Sequence, residues 1–198
     1  MVNETKPLQI DLGGPMATEL LGAGVNNAIG GLSQMVGRKI EVKHLELREI
    51  AARSIPDLFG GPEALIVAVY LAISGQASGH MMVIYTPETA FDLVDLLMGQ
   101  APGSTHELSE LEQSALGEVG NIMGSFFLNH LADATGMKLL PSPPAVMMDM
   151  AGAILGDVIA SILSYSDRTY VVETTFGTSD RHVTGTFLIV SGQGNSNV

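Results

Sequence analysis

Residues 109–136 read SELEQSALGEVGNIMGSFFLNHLADATG, and they predict one long helix. Ser109, three places before Glu112, forms a capping-box pair at the start, and Gly136 supplies the stop. At about 100° per residue, Leu108, Leu111, Ala115, Val119, Ile122 and Phe126 fall on one apolar face, the expected core face. Ser114, Glu118, Asn121 and Ser125 step the same way, displaced by one residue, as a polar stripe along its edge. Gly117, Gly120 and Gly124 form a third, bare stripe. Each glycine inside a helix costs about 1 kcal/mol against alanine, so something must offset three of them. Two readings stand: close packing in the core, or a partner backbone brought near Glu118 and Asn121.

Outward from this helix, the chain reads twice. Placing Glu19 over Glu118 also brings Leu32 onto Leu131, Gly37 onto Gly136 and Lys39 onto Lys138. Gly79 then leads Met81-Met82-Val83-Ile84 as Gly185 leads Phe187-Leu188-Ile189-Val190, after a small insertion in the second half. The repeats run over about 10–100 and 105–190, within one domain spanning 1–198. Thr18–Val36 reads as helix, Lys39–Leu47 as strand, and Leu65–Ser74 with His80–Tyr85 as a strand pair. Pro87 opens a helix through Met98, closed by Gly99. After the Pro141-Ser142-Pro143-Pro144 break, Ala145–Ser164 reads as helix, and Tyr170–Phe176 with His182–Val190 as a last hairpin. The tail Ser191–Val198 is polar and expected to fray. Strand pairs between helices predict an α/β (α+β) sandwich: a pseudo-two-fold duplicated unit with an antiparallel-rich sheet and long helices.

Composition narrows the partners. The 198 residues are 46% hydrophobic and 15% charged, ample for a core. Twenty-one acidic against nine basic residues give a net charge of −12, which repels nucleic acid and anionic lipid. No cysteine is present, so disulfides and thiolate metal sites are excluded. No apolar run approaches ~18 residues, and residues 1–11 lack a signal-peptide core. A cytoplasmic protein bound to neither membrane nor nucleic acid is expected. His44, His80, His106, His130 and His182 show no metal-binding spacing, and no phosphate-binding glycine loop occurs. Met147-Met148-Asp149-Met150 reads first as soft core filling.

Glu118 and Asn121 stand three apart on one helix face, where the ordinary reading is a solvated polar edge. The chemistry open to them is specific nonetheless. An amide both donates and accepts and can hold a water in line with phosphorus. A carboxylate on the adjoining turn can pair with a partner's lysine. Hydrolysis of a reactive acyl phosphate needs little beyond a positioned water.

The series Ser114-x-x-x-Glu118-x-x-Asn121 with Pro143 beyond it resembles the signature of the CheC/CheX/FliY phosphatases. Gly30-Gly-Leu-Ser-Gln-Met, Leu139-Leu-Pro-Ser-Pro-Pro-Ala and Pro87-Glu-Thr-Ala are similar to CheC as well. The resemblance implies a chemotaxis phosphatase that removes the aspartyl phosphate of the response regulator CheY. It implies that Asn121 orients the attacking water and Glu118 engages the partner's lysine. Ser114 and Pro143 would shape the surroundings. No cofactor of its own is implied, since Mg²⁺ is supplied in the active site of CheY. The helix after Pro144 resembles the segment that docks the receptor deamidase CheD, a second expected partner.

The first half departs from the pattern. Glu19 is present, but Gly22 stands where Asn is expected, and the position for Pro falls near His44. One working site and one degenerate site follow. The alternatives are a non-catalytic adaptor for CheD or a flagellar switch component, and a relative acting on a receiver domain outside chemotaxis.

Overall fold

The computed structural model describes residues 6–7 and 15–191, with side chains from Glu19 to Val190. The expected fraying of the C-terminal tail falls almost wholly outside the described residues. The elements run β1 (Lys6–Pro7), α1 (Pro15–Val36), β2 (Glu41–Ala51), β3 (Leu65–Gly75), β4 (Ala77–Tyr85), α2 (Pro87–Leu97), α3 (Glu110–Thr135), β5 (Leu139–Pro141), β6 (Ala145–Met150), α4 (Ala151–Leu163), β7 (Arg168–Gly177) and β8 (His182–Ser191). Two short 3₁₀ turns, Ala52–Ser54 and Pro56–Phe59, follow β2.

One sheet organises the molecule, in the order β2-β7-β8-β4-β3-β5, with β6 also on β3 and β1 on β4. Every pairing is antiparallel except that of β1. Strand alternation sends apolar side chains to both faces. Val67, Val69, Met81 and Val83 meet α1, α2 and α3 on one side. Ile66, Ala68, Met82 and Ile84 meet α4 and the 3₁₀ turns on the other. The expected sandwich and the antiparallel-rich sheet are both present. The sheet order reads alike outward from the β4–β8 pair, with the hairpin β3–β4 on one side and β7–β8 on the other.

Two sequence expectations are corrected. The helix read over Ala145–Ser164 begins only at Ala151. Residues 145–150 are strand because they supply the outer partner of β3, from Tyr70↔Ala145 to Leu65↔Met150. An apolar run of this length carries no period that separates strand from helix.

The core face of α3 is also rotated from the expected one. Leu116, Val119, Met123, Phe127 and Leu131 are buried, while Leu111 is 61% exposed and Ala115, Ile122 and Phe126 are half-buried. The apolar period follows side chains alone, whereas the bare stripe, for which close packing is one of the two readings, seats the helix. A Cβ on Gly120 would collide with Val69, and one on Gly124 would stand 2.8 Å from Leu71. On the flank, α1 approaches just as closely. Its Gly24 and Gly31 lie under the Phe127 and Phe126 rings, where a Cβ would come within 2.7 and 2.5 Å. Packing therefore accounts for Gly120 and Gly124. Gly117 is different, for its nearest neighbour would be Val146 at an ordinary 3.8 Å.

Candidate active site

α3 starts where the sequence says. The Ser109 hydroxyl accepts from the Leu111 N–H at 3.3 Å and contacts Glu112, completing the capping box. The preceding loop is tied down by Asp95, fully buried at the end of α2. Its carboxylate accepts from the Ser104 N–H, the Thr105 N–H and the Thr105 hydroxyl at 2.9, 2.9 and 2.7 Å. Burial pushes this carboxyl up, but those bonds together with one from the Gly103 backbone outweigh it and hold the group below its usual value.

Along α3, Ser114, Glu118 and Asn121 are all exposed. Among the described residues neither Glu118 nor Asn121 makes a side-chain hydrogen bond or ion pair. Both line a cleft of about 750 Å³ between α3 and the chain at 141–146, together with Ser114, Gly117 and Pro143. The four signature residues predicted from sequence thus share one cavity. Glu110 adds a second carboxylate from α3, the other wall includes Ser142, Pro144 and Val146, and no Lys or Arg lines the cleft. The cleft is suited to an entering cation.

The wall was not legible in advance. Ile73 pairs with Pro141 and Tyr70 with Ala145, so Ser142, Pro143 and Pro144 lie opposite only Leu71 and Ala72. This is a one-residue bulge. Prolines cannot donate to a ladder, and Ser142 makes up part of the loss. Its N–H donates to the Ala72 carbonyl at 2.8 Å, and its hydroxyl accepts from the Ala72 N–H at 2.9 Å and donates to the Pro143 carbonyl at 2.9 Å. The proline-rich run was the available signal, but its partner β3 could not be assigned from sequence.

Glu19, expected from the sequence to be a degenerate counterpart of Glu118, is exposed on α1. Gly22, at the position of Asn121, is half-buried beside Leu45. Among the described residues no cluster of His, Asp or Glu is arranged to hold a metal ion, and no helix is long and apolar enough to cross a membrane.

Comparison with known proteins bears on the same segment and on the fold. The CheC-like family profile matches residues 111–148, which hold all four signature positions. The CheY-P phosphatase CheC of Bacillus subtilis is 28% identical over 174 residues, 87% of this chain and 81% of that protein. Thermotoga maritima FliY superposes with a TM-score of 0.72 at 20% identity, covering 93% of this chain and 92% of that one. A chain of the CheX–CheY–BeF₃–Mg²⁺ complex from Borrelia burgdorferi does so with a TM-score of 0.55 at 19% identity, covering 88% and 98%. The signature segment is thus CheC-like, and the fold is the one seen in FliY. Over most of its length the chain is similar to a CheY-P phosphatase.

Proposed function

We propose that the chain hydrolyses the aspartyl phosphate of phosphorylated CheY. The observation that carries this reading is the pair Glu118 and Asn121, one turn apart, exposed, without partners of their own, and facing a cleft that lacks cations. The partner's phosphoaspartate enters the cleft, bringing its own Mg²⁺. The Asn121 amide accepts a hydrogen bond from a water and aims it at phosphorus. The water oxygen bonds to phosphorus as the bond from phosphorus to the aspartyl oxygen breaks. Inorganic phosphate leaves and the partner's carboxylate is restored. Glu118 pairs with the partner's lysine and fixes the approach. Ser114 and Pro143 shape the two walls and take no part in the chemistry.

The test is loss of phosphate from phosphorylated CheY with Mg²⁺ present. Asn121→Ala, folded as judged by circular dichroism, is expected to lower turnover by at least about 100-fold. Glu118→Ala is expected to act chiefly on KM. Wild type inactive on every cognate receiver domain would falsify the reading.

A second reading, an adaptor for CheD, is favoured by α4. Its outward positions Ala153, Gly156 and Ala160 are small and exposed, with Asp157 among them, so a partner can come close to the helix. The two roles are compatible. A CheD pull-down with and without phosphorylated CheY tests both the contact and its coupling to the cleft.

A further inference from the structure

The two edges of the sheet are protected very differently. β2, at one edge, carries Lys43, His44, Glu46, Arg48 and Glu49, all exposed. Charges of this kind blunt an edge against further pairing. β6, at the other edge, carries Met148 at 45% exposure and Met150 at 46%, and Leu65 of β3 opposite Met150 is 52% exposed. Among the described residues β6 pairs with β3 alone, and its one charged residue is Asp149.

The register fixes where these side chains point. Val146 lies opposite Val69, Met148 opposite Val67, and Met150 opposite Leu65. Val67 and Val69 belong to the core beneath α3 and Val146 packs against it, whereas Met147 packs on the opposite face. Residues two apart on a strand share a face. Val146, Met148 and Met150 therefore form one stripe on the α3 side of the sheet. Its first member lines the cleft of Glu118 and Asn121, and the other two continue it outward.

We propose that Met148, Met150 and Leu65 form the docking surface that selects the phosphorylated partner, an inference that rests on the phosphatase reading of the neighbouring cleft. The occupant is the receiver-domain protein whose phosphoaspartate enters that cleft. Continuity with the cleft wall argues for it, because a body filling the cleft beside Val146 lies along β6. Charge argues for it too. Glu110 and Glu118 line the cleft without a Lys or Arg, so the fitting surface is an apolar patch beside a basic group. Methionines suit such a contact because their unbranched, polarizable side chains adapt to the surface they meet.

The experiment is steady-state dephosphorylation of phosphorylated CheY over a range of its concentrations, with wild type and the Met148→Ser/Met150→Ser double variant. Because both residues are exposed, the variant is expected to melt no lower than wild type. Its KM is expected to rise about tenfold or more with kcat near that of wild type. Leu65→Ser, on the neighbouring strand, is expected to raise KM in the same way and serves if the double variant does not fold. An unchanged KM in an active enzyme overturns the docking surface alone. Inactive wild type removes the phosphatase reading and this surface together. A wild-type dimer that the double variant dissociates, measured by light scattering, assigns the patch to a second copy of this chain and overturns the proposal.

Discussion

At the scale of single residues, the glycines of α3 separate packing from function. Gly120 is enclosed, and a methyl group there would strike Val69, a buried β-branched side chain. Gly120→Ala gains helix propensity but overpacks the core, and a net loss of about 1–2 kcal/mol is expected. Gly117 has room. Its Cβ would sit at an ordinary distance from Val146, so Gly117→Ala is expected to gain up to about 1 kcal/mol. Yet Gly117 lines the cleft between Ser114 and Asn121, where the proposed partner would come close. The same substitution is therefore expected to lower kcat/KM for phosphorylated CheY while raising stability. Urea denaturation and the phosphate-loss assay on the two variants check both signs. A Gly117→Ala protein that is more stable and fully active would leave that glycine without a role in partner approach.

At the scale of elements, the α2–α3 connection is held by one carboxylate. Asp95 takes hydrogen bonds from three groups of Ser104 and Thr105, in the loop that leads into the Ser109 cap. In Asp95→Asn the amide nitrogen cannot accept, so a buried N–H loses its partner, at a cost of about 1–3 kcal/mol. The sign with pH follows from the lowered folded value. The native state holds on to fewer protons than the unfolded chain, so this contribution is complete above the ordinary 3.8 and fades as pH falls through the lowered folded value. The deficit of Asp95→Asn is thus expected to be full at neutral pH and to shrink in acid, as denaturant melts across that range would show. Nothing in the sequence distinguished Asp95 from a solvated helix acid, because its donors come from a loop whose path is tertiary. The features that were legible are local ones. The Ser109–Glu112 cap, the Gly136 stop with φ of 70°, both hairpins and the Glu118–Asn121 pair each depend on neighbours a few places away. The features missed depend on pairing or on bare backbone. β6 is a strand only because β3 lies beside it, and α3 is rotated because its glycines rest on Val69 and Leu71.

At the scale of the whole molecule, the two halves exchange strands. β2 of the first half pairs with β7 of the second, and β5 and β6 of the second pair with β3 of the first. The match between the halves that the sequence offset gives extends to irregularities. The offset that places Glu19 on Glu118 places Lys43 on Ser142 and His44 on Pro143. β2 shifts register between Val42 and His44, at the position that matches the Ser142–Pro144 bulge. Both halves thus hold a helix facing a bulged edge strand, and they differ in what the bulge carries. In the second half it is a proline wall without charge. In the first it is Lys43, paired with Glu41 at 2.8 Å, beside His44. A lysine there would repel the partner cation that Glu118 is proposed to receive. Gly22 has space for a side chain, its Cβ meeting only Leu45 at 3.7 Å, so Gly22→Asn can rebuild the helix pair with Glu19. In an Asn121→Ala background this change is nevertheless expected to leave turnover of phosphorylated CheY at the level of Asn121→Ala alone, because the wall still carries the wrong charge. Single-turnover phosphate loss measured on both proteins decides it. Recovery of turnover by Gly22→Asn would mean that a Glu and an Asn one turn apart suffice on this fold and that the bulge contributes shape without selection.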